Sequence, residues 1–260
     1  MSNIKITKSG FYKFSDILPL LSKEGTGVVI EDNISAIFFD DTSSQPSPLE
    51  EKEQGQFNSP STTKERGLGG EVNFFLGEHS QVEIFGVLNN ISNYKLNIIS
   101  NKEGSSLKVR YLLLAIDGDK TVAKIKSSIE ASHTKSDVKI ISLVMDNGIV
   151  DVDGIIDIKK GIEKIKGHLI QENIFLGNTG KIKGVPTLLV ASNDVEASHA
   201  CKIERVSDDE LFYLRSRGIG KESAISMMLE AKISDLFKCL SMVDNEFYEG
   251  LVKNILIKIK

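Results

Sequence analysis

The chain has 260 residues, a size that fits one large domain or two small ones. Hydrophobic residues make up 40% of it, so a sizeable core can form, and a formal net charge of −4 with interspersed signs argues against a nucleic-acid surface. No apolar run approaches the roughly 20 residues of a membrane span, and two cysteines, Cys201 and Cys239, without a CxxC exclude a disulfide framework and a structural zinc site.

The first residues, "MSNIKITKSGFYKFSDILPLL", carry neither the apolar core nor the cleavage site of a secretory signal. A soluble cytosolic protein is expected, with thiols kept reduced. A short helix is expected around Phe14 to Leu21, and "TGVVIEDNISAIFF" reads as a few strands. Residues 41–70 hold three of the five prolines and almost no large apolar side chains. Such a segment buries too little surface to offset the entropy of ordering, so it reads as a linker or loop.

From Glu71 to about Arg205, short β-rich runs follow one another: "VEIFGVL", "LKVRYLLLAI", "VAKIKSSIE", "VKIISLVM", "DVDGIIDIKK", "LIQENIFL" and "TLLVAS". Gly, Asn and Asp punctuate them, and alternation of period two is clear in "VAKIKSSIE" and "DVDGIIDIKK". The gaps are too short for the helical crossovers of an α/β sheet. A sandwich, a barrel or a solenoid remains. "FLGEHSQVEIFG" from Phe75 and "FLGNTGKIKGVP" from Phe175 look like one corner of a coil met twice, which favours the solenoid.

After Arg205 the texture becomes helical. Ser207 and Glu210 have capping-box spacing, and Gly218 is placed to stop that helix in the left-handed conformation. A second helix, about Lys221 to Leu240, would set Ala224, Met228, Ala231 or Lys232, and Leu236 on one face. A third, about Asn245 to Lys260, stacks Phe247, Leu251, Ile255 and Ile259.

Candidate chemistry is sparse. No Ser-His-Asp order with a nucleophile elbow, GxxxxGK[ST] or HExxH occurs, and "GIGKES" lies between helices, where it reads as a turn. His79 and His133 read as turn or surface residues, and His168 as the start of a strand. Asp151, Asp153 and Asp157 could form the carboxylate row a sugar-cleaving β-helix needs, although a solvated outer face explains them with Val152, Ile156 and Ile158 pointing inward. His199 and Cys201 share a strand face at positions i and i+2. Imidazole and thiolate together suit iron or zinc, yet two ligands do not close a site, and a buried histidine beside a small buried cysteine is the alternative.

The segment "NDVEASHACKIERVSDDELFYLRSRGIGKESAISMMLEA" resembles the C-terminal signature of the SufB/SufD family of iron–sulfur cluster assembly proteins. "GHLIQENIFLGNTGKIKGVPTLLVAS", with Pro186 before the last strand, fits as well, and the likeness runs from about Ile149 to Ala231, more loosely back to Glu71. The resemblance implies a mainly β fold: a right-handed parallel β-helix over 71–206. The N-terminal segment, 1–40, and the linker, 41–70, lie outside the resemblance. The resemblance also implies a C-terminal α-helical region, 207–260, that docks a SufC-like ABC ATPase, and pairing with a SufB-like subunit, or with itself, through the β-helix.

By the same resemblance His199 falls on the histidine at the SufD–SufB interface. The resemblance makes it a metal ligand for a transient iron–sulfur cluster, with Cys201 beside it. Phe212, Tyr213, Leu214, Arg215, Arg217 and Gly218 open the ATPase-binding block, and Ile225, Met228 and Leu229 follow on the next helix. There are departures. Ala197 stands where SufD often has cysteine, Gln171 where SufB has its cluster-building cysteine, and Ala200 where SufB has glutamate; Cys201 is off-pattern. The chain is therefore expected to be a SufD-like, non-enzymatic scaffold. A structural adaptor solenoid or a β-helix carbohydrate-active enzyme are the alternatives.

Overall fold

The computed structural model describes residues 4–13, 27–40, 70–206 and 208–259. The expected helix at Phe14–Leu21, nearly all of the proline-rich linker, and Ser207 of the expected capping box lie outside the described residues. Among the described residues, fifteen strands and three helices follow in order: β1 (Ile4–Ile6), β2 (Gly10–Lys13), β3 (Gly27–Ile30), β4 (Ser35–Asp40), β5 (Glu71–Phe75), β6 (Gln81–Asn89), β7 (Tyr94–Ser100), β8 (Ser106–Ala115), β9 (Lys120–Ile129), β10 (Lys135–Val144), β11 (Ile149–Ile158), β12 (Ile165–Phe175), β13 (Lys181–Lys183), β14 (Thr187–Val190), β15 (Val195–Arg205), α1 (Asp208–Ser216), α2 (Lys221–Ser241) and α3 (Asn245–Ile259).

The strands alternate between two parallel sheets. One runs β1-β3-β5-β7-β9-β11-β13, with β14 also on β11; the other runs β2-β4-β6-β8-β10-β12-β15. Each inner strand pairs with the equivalent strand one coil earlier and one coil later, which makes the fold a parallel β-helix, the solenoid anticipated from the sequence. Strands from the first forty residues stack in the same two sheets.

Register creates columns of side chains along the rod. Ile84, Val109, Val138 and Leu169 form one inner column, and Gly86, Tyr111, Ile140 and Gln171 its neighbour. Inward residues from both sheets meet in a continuous apolar interior. Outward residues of the β6–β8–β10 sheet form a second core with the helices: Phe39, Phe85, Val87, Leu112, Leu114, Ile141 and Leu143 against Leu229, Ile233, Leu236, Phe237, Leu240, Val252 and Ile255. This explains a contrast in the sequence. Strands covered on both faces read as continuous apolar runs, such as "LLLA" in β8, whereas β9 and β11 on the uncovered sheet alternate. Val152, Ile156 and Ile158 point inward as expected.

The corners are built from left-handed backbone. Asn33, His79, Gly104, His133 and Lys164 have φ between 52° and 72° and mark equivalent turns in successive coils. His79 N–H donates to Glu103 O, Gly104 N–H to Ser132 O, and His133 N–H to Glu163 O. His79 and His133 are thus turn residues. His168 lies within β12 rather than at its start.

The two Phe-Leu-Gly motifs are a correction. Phe75 closes a strand of the β5 sheet and Phe175 a strand of the β12 sheet, so they mark corners on different sides of the rod. They share a local role: each glycine follows a strand end where the chain crosses close to the coil below, against Glu31 and Asp146 respectively.

Helix α1 ends as its sequence dictates. Gly218 adopts φ +85°, its N–H donates to Arg215 O, and Ile219 N–H reaches Leu214 O. Asp244 caps α3 by accepting from Phe247 N–H at 2.9 Å. On α2 the buried stripe is Ala224, Leu229, Ile233, Leu236, Phe237 and Leu240. Met228 and Ala231, expected on that face, lie off it, because the helix seats its broad aromatic and leucine face on the sheet.

Candidate functional site

The last coil ends the rod. β15 pairs with β12 over eleven residue pairs on one side, and among the described strands nothing pairs with its other edge. β14 is likewise at an edge, hydrogen-bonded to β11. Between β13 and β14 the chain breaks at Gly184, whose φ is +123° and where an added Cβ would meet the Val152 carbonyl oxygen at 1.8 Å. An edge of this kind is a template for another chain. Here it is flanked by exposed apolar side chains: Val185 and Ile203, both 69% exposed, with Leu189 and Val190.

His199 and Cys201 lie on β15 opposite Leu169 and Gln171. Leu169 and Gln171 are fully buried inner-column residues, and Val195 and Ala197 on β15 pack against the interior core. His199 and Cys201 therefore continue the inner face, but both are exposed because no coil lies beyond them. The buried-pair alternative is excluded by that exposure. His199 makes no hydrogen bond or ion pair among the described residues. Cys201 is a free thiol whose sulfur accepts from Asn173 Nδ2 at 3.6 Å.

Beneath the thiol the interior turns polar. Gln171 Nε2 points to Asn173 Oδ1 at 3.4 Å and to Gly184 O at 3.5 Å, while its buried Oε1 has no partner. Sequence reasoning did not single out Asn173 as part of this cluster. The signal was present: in "LIQENIF" the inward positions after Leu169 are Gln171 and Asn173. Among the described residues no three His, Cys, Asp or Glu side chains converge on a metal position.

The outer face of the same strands is charged. Lys166 pairs with Glu196 at 2.5 Å and His168 Nδ1 lies 2.9 Å from Ser198 Oγ. Lys232 of α2 reaches Glu204 at 2.9 Å and Glu172 at 3.5 Å, and Lys139 reaches Glu172 at 3.2 Å and Asp235 at 3.4 Å. Burial alone would raise the Glu204 carboxyl, but its pairing with the Lys202 and Lys232 ammoniums outweighs it and holds the group below the usual glutamate range.

The residues expected to bind an ATPase divide by accessibility. Phe212, 75% exposed, and Tyr213, 58% exposed, project from α1 with Arg215 and Arg217, and the Arg217 guanidinium sits 5.2 Å from the Tyr213 ring centroid. Asp209, Tyr213, Leu214 and Met228 line a groove of about 400 Å³. Ile225 lines a second cavity of about 530 Å³ with Met145, Leu176, Met227, Leu256 and Ile259. Leu229 is buried in the helix–sheet core.

A rod of parallel coils with C-terminal helices packed along one sheet, and a histidine–cysteine pair on the exposed last coil, defines a parallel β-helix with a helical C-terminal region. The chain belongs to the family described as SUF system FeS cluster assembly, SufBD core domain, which matches residues 70–232, more than half of it. It is 26% identical over 161 residues to the iron–sulfur cluster assembly protein SufD of Escherichia coli, covering 61% of this chain and 36% of that protein. It is 28% identical over 140 residues to a SufBD family iron–sulfur cluster assembly protein of Staphylococcus saprophyticus, covering 54% and 30%. To the iron–sulfur cluster assembly protein SufB of Bacillus subtilis it is 26% identical over 140 residues, again covering 54% and 30%. The chain spans about a third of the length of these relatives.

Proposed function

We propose that the chain is a non-enzymatic scaffold subunit for iron–sulfur cluster assembly, closer in its site residues to SufD than to SufB, acting in the cytoplasm. Family membership supports the assembly role. The observation that carries the reading is the bare last coil, which offers an unpaired strand edge, an apolar rim and two soft or borderline donors at one place. In this reading β14 and β15, at the end of the 71–206 rod, pair with the β-helix of a SufB-like subunit. His199 and Cys201 then supply two ligands to a nascent cluster, and the partner supplies the others. Gln171, at the position of the SufB cysteine, leaves this chain without an inner thiolate of its own there.

The 207–260 region would be the handle for a SufC-like ATPase. Phe212, Tyr213, Leu214, Arg215, Arg217, Gly218 and Met228 would form its face, while Ile225 and Leu229 brace that face from beneath. Exposed aromatics with adjacent arginines are the composition of interface anchors. No helix of the described residues is long and apolar enough to cross a membrane. The carbohydrate-enzyme alternative gains nothing from the acidic row, since Asp157 is paired with Lys126 and Lys159 and Asp151 with Lys183.

Anaerobic reconstitution with ferrous iron and sulfide, on the complex with a SufB-like protein, tests the reading. His199→Ala is expected to leave the complex intact and lower cluster absorbance at least several-fold, and an unchanged yield refutes the ligand role. If the wild-type complex builds no cluster at all, the adaptor reading takes its place. Phe212→Asp is expected to abolish capture of the ATPase and spare β-helix pairing; retained capture would remove α1 from the interface.

A further inference from the structure

The seam between α2 and the sheet beneath it changes character along the rod. Two outward rows of the sheet run under the helices. One reads Leu112, Ile141, Glu172, Lys202; the other reads Leu114, Leu143, Ile174, Glu204. Over β8 and β10 both rows are apolar and buried. At β12 one row turns to a carboxylate, and at β15 both rows are charged. No residue of β15 is buried, so the hydrophobic seal that fixes α2 to the earlier coils does not extend to the last strand.

Lys232 spans that gap. It sits midway along α2, its ammonium 2.9 Å from Glu204 Oε1 on β15 and 3.5 Å from Glu172 Oε2 on β12. The side chains are partly withdrawn from water, at 32%, 22% and 16% exposed for Lys232, Glu204 and Glu172, so the attraction is screened less than at an open surface. Lys139 ties the same Glu172 to Asp235, one helical turn further along α2. Burial would lower the Lys232 ammonium, but its bonds to Glu204 and Glu172 outweigh that and raise it above the usual lysine range.

We propose that Lys232 is a positioning residue that ties the helical handle to the terminal strand, so that the placement of His199 and Cys201 follows the position of α2. Among the described residues the strand itself is held by ladder hydrogen bonds along one edge, through β12. An ionic clasp suits a joint that must yield, because it is reversible and shifts without opening an apolar seam. That a partner on α1 and α2 would work this joint rests on the function proposed above; the joint itself is a property of this chain alone.

Amide hydrogen exchange of the full 260-residue chain tests it. Lys232→Met is expected to speed exchange of the Val195–Arg205 amides about two- to five-fold, the scale of one ion pair, and to leave β8 and β9 unchanged. Glu204→Gln should do the same, and the double variant should add little to either single change, as coupled partners do. Lys232→Arg should retain protection. Raising salt to about 1 M should loosen β15 in the wild type but not in Lys232→Met. Equal β15 exchange in wild type and Lys232→Met, or fully additive effects of the two single variants, overturns the proposal. No partner is present in the experiment. A negative result therefore removes the clasp and leaves the pairing reading standing, and failure of the reconstitution leaves the clasp standing.

Discussion

Inside the rod, Asp40 is fully buried and accepts hydrogen bonds from the hydroxyls of Tyr94 and of Tyr111, the latter at 3.0 Å, while the two phenol oxygens lie 2.8 Å apart. Burial first, and the neighbouring Asp40 charge second, push both phenols well above the ordinary tyrosine range. A group raised in the folded state contributes stability that is complete below its unfolded pKa and is lost as pH climbs through the folded value. Alkaline titration should therefore show the phenolate absorbance of two of the five tyrosines arising in a step that coincides with loss of β-sheet circular dichroism. That step should vanish in the Tyr94→Phe, Tyr111→Phe double variant; smooth ionisation before unfolding would contradict the buried network. None of this was legible in the sequence. Asp40, Tyr94 and Tyr111 are separated by 54 and 17 residues, and only the coil register brings them together. His199 and Cys201 are the opposite case, since two residues of strand spacing suffice to place them on one face. What the spacing could not say is that this inward-type face is open to solvent, because that depends on no coil following it.

Among the elements, α2 carries most of the contact between handle and rod. Phe237 is fully buried, its ring centroid 6.3 Å from that of Phe85 and 6.5 Å from that of Phe39. Phe237→Ala removes that ring and leaves a cavity, which should cost about 3–5 kcal/mol in urea unfolding. A loss below about 1 kcal/mol would mean the helix is not seated as described. The helices were readable from their 3.6 period, and Gly218 stops α1 as its sequence implies. The buried face of α2 was only partly readable. Ala224 and Leu236 lie on it, but the true stripe leans toward Leu229, Ile233 and Phe237 because their large side chains fill the sheet's outer rows. The Phe-Leu-Gly pair shows the reverse limit: a shared local chemistry at strand ends mimicked a shared corner, although the two corners belong to different sheets.

Across the whole molecule, the same backbone logic that builds the rod leaves its terminal strands with one open edge each among the described residues. Among the described residues every inner coil finds hydrogen-bond partners on both sides, and β15 has them on one. Ile203, 69% exposed beside that edge, is the natural place to test pairing. Ile203→Lys should leave the chain's own stability within about 0.5 kcal/mol while weakening association with a SufB-like β-helix at least ten-fold in a titration, because a charged edge resists strand pairing. Undiminished association would shift the interface elsewhere. The sequence by itself determined a mainly β chain and, through a contiguous signature of some forty residues, the family and with it the β-helix; the period-two runs alone left sandwich, barrel and solenoid open, because all three are built from short alternating strands. Only the tertiary structure decided which sheet the helices cover, why that sheet's strands are apolar throughout, and that the final coil is bare on the side where His199 and Cys201 stand. Those features depend on what stacks against what, and stacking joins residues some thirty positions apart in the chain that no local pattern connects.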